Sequence, residues 1–192
     1  MVFRALAVSA LFVGAVQAAE LEGVELADSA MIDGQTVRLN GMALRTRYFF
    51  RVYVAGLYLP QKVSTAEAAF DAKGAKRIVL VMMRDASAEQ FCESIDAGLR
   101  ANNSEAELEQ LRPQTEALYS MIRSAVQARK GMRIVLDYAP SSGGTTLFVD
   151  EAALGPPMAG EEFYRALLRI WLGERPVQDD LKRLLLGQQE EN

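Results

Sequence analysis

The sequence predicts an α+β domain: an antiparallel sheet with helices packed on one face. Strand patterns dominate as far as Arg84, helical patterns follow, a hairpin pattern returns at 132–150, and two helical patterns close the chain. Strand and helix therefore do not alternate as a doubly wound parallel sheet requires. No Gly-x-Gly-x-x-Gly or Walker sequence is present to cradle a phosphate.

Each element follows from local chemistry. Val24–Ala27 and Thr36–Leu39 read as short strands around the turn signal Ile32-Asp-Gly-Gln35. Arg47–Leu59, rich in Phe, Tyr and Val, reads as one long strand that Pro60 ends, and Gly56 permits a bulge or a close contact. Ser64-Thr-Ala-Glu67 is a capping box for a short helix through Ala69 and Phe70. Lys76–Arg84 is a strand apolar enough to be buried on both faces. Ser87-Ala-Glu-Gln90 caps a helix whose Phe91, Ile95 and Leu99 share one face, with Glu93, Asp96 and Arg100 turned to water.

Ser104-Glu-Ala-Glu107 opens a third helix through Leu108 and Leu111, and Pro113 either kinks or restarts it. Leu118, Ile122 and Val126 continue the stripe to the stop at Lys130-Gly131. Met132–Tyr138 and Thr145–Asp150 form the hairpin. One terminal helix runs Glu161–Leu172, and the other starts at Pro176 and ends before Gly187. Phe49, Phe50, Tyr58, Phe163 and Trp171 are expected in the core.

The first residues have a different character. Met1-Val-Phe-Arg4 is positive, Ala5–Val16 is apolar, and Val16-Gln-Ala18 puts small residues where a signal peptidase reads. The expected organisation is a signal peptide at 1–18 and a single domain at 19–192, exported to the periplasm or secreted. The apolar run is too short to span a bilayer, and no transmembrane segment is expected in the mature chain. The 192 residues carry a formal charge of −4, and loss of Arg4 makes the mature chain one unit more negative.

That mildly acidic balance gives no electrostatic case for nucleic acid. No run of Lys and Arg reads as a membrane-surface patch. The absence of histidine excludes His triads, His proton shuttles and the common zinc sites, and no cofactor is implied. One cysteine, Cys92, rules out an intramolecular disulfide. Set in a helical pattern with no histidine to activate it, Cys92 reads as a small buried apolar residue.

Two blocks resemble the chalcone isomerase superfamily. The first is Gly41-Met-Ala-Leu-Arg45 followed by Val52-Tyr-Val-Ala-Gly-Leu-Tyr-Leu59, similar to the isomerases' Gly-x-x-x-Arg and the strand ending Ala-x-Gly-x-Tyr-Leu. The second, Leu172-Gly-Glu-Arg-Pro-Val-Gln-Asp-Asp-Leu-Lys-Arg183, resembles the family's Gly-Glu-x-x-Val-x-x-Asp-Leu-Lys-Arg. The match is nearest to the exported bacterial chalcone isomerase-like proteins. It implies the family's open-faced β-sandwich.

The resemblance also implies a site. In the isomerases an arginine at the position of Arg45 stabilises the negative charge that develops as a phenolate adds to an enone. A threonine that orients the substrate ketone corresponds to Tyr53. A tyrosine and an asparagine on the central helix correspond to Phe91 and Gly98, and a hydroxyl residue before the C-terminal glycine corresponds to Ile170. Three of five polar positions are thus apolar or bare. Each lost transition-state hydrogen bond typically costs about a hundredfold in rate, so efficient chalcone cyclisation is not expected.

A related branch of the superfamily binds fatty acids through an arginine and a tyrosine, which Arg45 and Tyr53 match. The expected role is therefore binding of a fatty acid or similar organic anion, with Phe91, Gly98 and Ile170 as apolar wall. Two alternatives stay open. An intramolecular lyase acting on another enone would use Arg45 as its electrophile. An inert scaffold would have Arg45 solvated beside Arg47 and Arg51, or paired with a carboxylate such as Asp85.

Overall fold

The computed structural model describes residues 18–124 and 128–188. All but the last residue of the predicted signal segment, and Val126 of the helical stripe, lie outside the described residues.

Two tight turns organise the first strands. Strand β1 (Ala18–Leu21) returns as β2 (Val24–Ala27) through Glu22-Gly23, and β3 (Ser29–Ile32) returns as β4 (Gln35–Arg47) through Asp33-Gly34. Both central residues of each turn have positive φ, 55° and 76° in the first and 46° and 76° in the second. That backbone twist matches the flanking strands in a two-residue hairpin.

β4 then returns as β5 (Phe50–Leu59), with Arg47 opposite Phe50 and Arg45 opposite Tyr53. This corrects the expectation of one long strand from Arg47. The chain reverses at Tyr48-Phe49, where Tyr48 takes φ 55° although no Gly or Asn marks a turn. The reversal also removes two aromatics from the expected core: Phe49 is 99% exposed and Phe50 58%. Tyr58, Phe163 and Trp171 are buried.

The remaining strands are β6 (Lys76–Met82), β7 (Arg133–Ala139) and β8 (Gly144–Val149), with short pieces β9 (Ala152–Ala153) and β10 (Met158–Ala159). They join β3–β5 in one antiparallel sheet of order β10-β8-β7-β6-β5-β4-β3, with β9 also on β8. β1 and β2 form a separate ribbon.

The helices among the described residues are α1 (Ala66–Asp71), α2 (Ala88–Asn102), α3 (Glu105–Gln110), α4 (Arg112–Ser124), α5 (Glu161–Leu172) and α6 (Asp179–Leu185). The capping boxes at Ser87/Gln90 and Ser104/Glu107 are both formed. α1 is capped by Thr65, one residue after the expected Ser64. Pro113 falls in the first turn of α4, where its missing N–H is harmless, so it restarts the helix rather than kinking it. α6 begins at Asp179, later than the expected Pro176.

Alternation along the strands sorts the core into two layers. Leu57 of β5, Leu80 and Met82 of β6 and Leu136 of β7 face the helices, where α5 supplies Phe163, Leu167 and Trp171. Tyr58, Val79 and Val81 face the other way, against Leu26 of the ribbon. Gly56 is needed at that contact: a Cβ there would stand 3.0 Å from Val79 Cγ1 and closer still to Leu26. The helices thus occupy one face, as predicted, and a small ribbon covers part of the other. Cys92 is buried with its thiol pushed up by desolvation, in keeping with a structural role.

Gly41 marks the closest approach of α6 to the sheet, since a Cβ there would lie 2.6 Å from the Leu185 carbonyl oxygen and nearer to that of Leu184. Gly41→Ala is expected to destabilise the fold by about 1–3 kcal/mol, measured by denaturant unfolding.

The Glu107 carboxylate is held down from 4.5 to about 2, first by the Ser104 backbone N–H, then by the Ser104 hydroxyl and by Arg169 on α5. A depressed carboxyl contributes stability above its unfolded value and loses that contribution as the pH falls through its folded one. Glu107→Gln is therefore expected to flatten the pH dependence of stability between 4.5 and about 2. Carboxyl NMR should find Glu107 titrating at the bottom of that window.

Candidate functional site

The β4–β5 ladder places Arg45 and Tyr53 directly opposite each other. Directly paired residues share a face of the sheet, here the one toward the helices. Both line a cavity of about 830 Å³ between the sheet, α2 and the end of α5. Phe91 and Gly98 of α2 and Ile170 of α5 line the same cavity. The structure thus brings all five sequence-predicted positions to one cavity. Its volume lies within the roughly 300–1,000 Å³ usual for small-molecule sites.

Polarity is distributed unevenly around the cavity. Its exposed lining includes Arg47, Arg84, Asp85, Gln90 and Glu93, whereas Leu80, Met82, Ile95, Ile170 and Trp171 are buried. It is a wet mouth over an apolar floor, with Arg45 and Tyr53 as the polar groups reaching inward.

Arg45 is half-buried and is held by one arm of its guanidinium. Nη1 donates to the Thr46 carbonyl oxygen at 2.6 Å and to Gln178 Oε1 at 3.0 Å. The same Gln178 oxygen accepts from Thr46 N at 2.9 Å, and Gln178 Nε2 donates to the Leu44 carbonyl at 3.3 Å. Nε and Nη2 have no acceptor among the described residues, and no carboxylate there pairs with Arg45. Asp85, the partner weighed from the sequence, instead accepts from Lys130 N at 2.7 Å. Arg45 therefore lines the cavity with Nε and Nη2 unbonded among the described residues.

Tyr53 is buried, and its hydroxyl accepts from Trp171 Nε1 at 3.0 Å. Burial raises its pKa, against the opposing effects of the Trp171 hydrogen bond and the Arg45 charge. The phenol therefore stays protonated, and because its lone pair already serves Trp171, its proton is free to be donated. No acceptor for it exists among the described residues. Arg45 and Tyr53 are thus two convergent donors, one charged and one neutral.

Two residues of the site were not legible in the sequence. Gln178 stands at an unspecified position of the second motif, so no chemical signal singled it out. Trp171 read as plain core, and only its indole N–H at Tyr53 distinguishes it. The loop that delivers Gln178 is clamped by Asn102 at the end of α2: Nδ2 donates to the Arg175 carbonyl at 2.8 Å, and Oδ1 accepts from Arg175 N at 2.9 Å.

Gly98 does more than leave the wall bare. A Cβ at that position would meet Ile170 Cγ2 at 2.7 Å and Cγ1 at 3.0 Å, so α2 and α5 cross at this glycine. A longer polar residue at 98 would require a smaller one at 170. The two substitutions are sterically coupled.

The family described as chalcone isomerase-like matches residues 18–187, and the chain belongs to it. No curated protein matches the chain. Among solved structures, a fatty-acid binding protein of Arabidopsis thaliana is similar in fold, with a TM-score of 0.69 at 15% identity over 88% of this chain and 96% of that one.

Gly98→Ala is expected to lower stability by about 1–3 kcal/mol through the clash with Ile170. Ile170→Ala removes both clashing γ-carbons, so the losses from the two substitutions should not add, giving a coupling of more than about 0.5 kcal/mol in a double-mutant cycle.

Proposed function

We propose that this chain is an exported, non-catalytic member of the bacterial chalcone isomerase-like branch that binds a fatty acid or similar organic anion. The carboxylate sits on Arg45 and Tyr53, and the acyl chain lies along the floor made by Ile95, Gly98 and Ile170, with Phe91 beside it. The observation that carries this reading is the guanidinium of Arg45, which faces an apolar cavity with Nε and Nη2 unoccupied by any protein acceptor among the described residues. A half-buried charge without a protein counterion is left partly desolvated, and an anionic ligand supplies the missing partner. Paired N–H donors on a planar guanidinium suit a carboxylate in particular.

The replacement of polar isomerase positions by Phe91, Gly98 and Ile170 supports binding over turnover. The fatty-acid binding protein of Arabidopsis, which has the same fold, supports the ligand class. Export rests on the charge, apolar core and small residues of positions 1–18.

Calorimetry on delipidated protein with palmitate and its methyl ester tests the reading. Palmitate is expected to bind and the ester to bind more weakly. Arg45→Ala should cost about tenfold or more in affinity for the acid, since hydrogen bonds to a charged group are worth roughly 1.5–3 kcal/mol. Gln178→Glu, which supplies Arg45 with an internal counterion, should weaken palmitate even though the arginine is intact. Equal affinity for acid and ester, or none for either, contradicts the proposal, as does chalcone turnover above the buffer rate.

A further inference from the structure

The hairpin that reverses the chain between β4 and β5 ends in Tyr48-Phe49-Phe50, which are 84%, 99% and 58% exposed. Three consecutive aromatics in water are costly, at about 25 cal/mol per Å² of apolar surface. Tyr48 adds a further cost by adopting φ 55°, a conformation that glycine fills without strain. Folding does not explain such a tip: nothing in the core rests on Phe49.

The surroundings of the tip are basic. The Arg47 guanidinium lies 5.9 Å from the centre of the Tyr48 ring and that of Arg84 4.7 Å from the centre of the Phe50 ring. Neither has a carboxylate partner among the described residues. Arg51 is also there but is paired with Glu22 at 2.7 Å, and the carboxylates of Asp85 and Glu93 line the same cavity. The arginines come from β4, β5 and the segment after β6, which is why no basic run marks the patch in the sequence. The chain as a whole is acidic, at −4, and the arginines at the tip run against that overall sign.

We propose that the Tyr48-Phe49-Phe50 tip docks the protein onto an anionic lipid bilayer. Aromatic side chains on a narrow turn enter the interface between headgroups and acyl chains, while Arg47 and Arg84 remain at the level of the lipid phosphates. A two-residue turn is too small for a stable protein interface, which needs about 800 Å² on each partner. A wedge of this size suffices for shallow insertion. Arg47, Tyr48, Phe50 and Arg84 also line the cavity mouth. A docked protein therefore presents that mouth to the membrane, where an acyl ligand can enter or leave without crossing water. Docking itself stands on exposure and charge alone. Only this transfer role rests on the proposed fatty-acid reading.

Flotation with vesicles of phosphatidylcholine, with and without phosphatidylglycerol, tests the inference on the mature chain. Binding is expected only with phosphatidylglycerol and is expected to weaken with added salt. Phe49→Ser should reduce it about tenfold, with an unchanged melting temperature and unchanged palmitate affinity in solution, because Phe49 does not line the cavity. Phe49→Trp should retain vesicle binding and shift its emission to the blue on docking. Absence of binding, equal binding to both vesicles, or equal binding by Phe49→Ser overturns the proposal. A change in oligomeric mass on Phe49→Ser without any vesicle effect also overturns it and assigns the tip to contact between protein copies. Vesicle docking and palmitate affinity are separate readouts, so either can fail alone.

Discussion

A guanidinium moved out of bulk water must find acceptors for its donors and a counterion for its charge, and protein groups give Arg45 only part of this. Two neutral oxygens occupy Nη1, and the rest of the group faces an apolar cavity. Much of the local architecture maintains that incomplete state. The amide of Gln178 holds three successive residues of β4, Leu44, Arg45 and Thr46, and so fixes the strand as well as the side chain. Asn102 fixes the loop that carries Gln178, and Gly41 lets α6 come close enough for that loop to reach β4. The two motifs that carry the family resemblance, far apart in the chain, thus meet at one arginine.

The opposite strand completes the pair of donors. Tyr53 is buried, neutral and already accepting from Trp171, and its proton is available to donate onward. A site with one cation, one neutral donor and an apolar floor has the means to hold an anion. The chain has no histidine, and Cys92 is buried with its pKa raised by desolvation. Gly98 and Ile170 are in steric contact, so any side chain added to α2 at that position would force α5 to give way.

What could be read from the sequence follows from how local each signal is. The capping boxes at Ser87 and Ser104 and the turn at Asp33-Gly34 involve neighbours in the chain, and each formed where the pattern placed it. The arginine and tyrosine were found through motifs, not periodicity. Their direct pairing was hidden, because the turn between them consists of aromatics with strong strand propensity and none of the usual turn residues. The same feature sent Phe49 and Phe50 to the expected core. Apolar character alone does not distinguish a buried aromatic from an exposed one. Gln178 was invisible for another reason: its role depends on the meeting of β4 with a loop more than a hundred residues away.

In the proposed mode of binding, Arg45 and Tyr53 together receive an anionic head group while the chain of the ligand lies on the apolar floor. A crystal structure with a bromine-tagged fatty acid tests this most directly, because the anomalous signal of bromine marks the tail independently of the head. The account predicts the carboxylate within hydrogen-bonding distance of Arg45 Nη2 or Nε and of the Tyr53 hydroxyl, with bromine among Ile95, Gly98 and Ile170. A carboxylate in solvent at the mouth, with Arg45 still bonded only to Thr46 and Gln178, would contradict it.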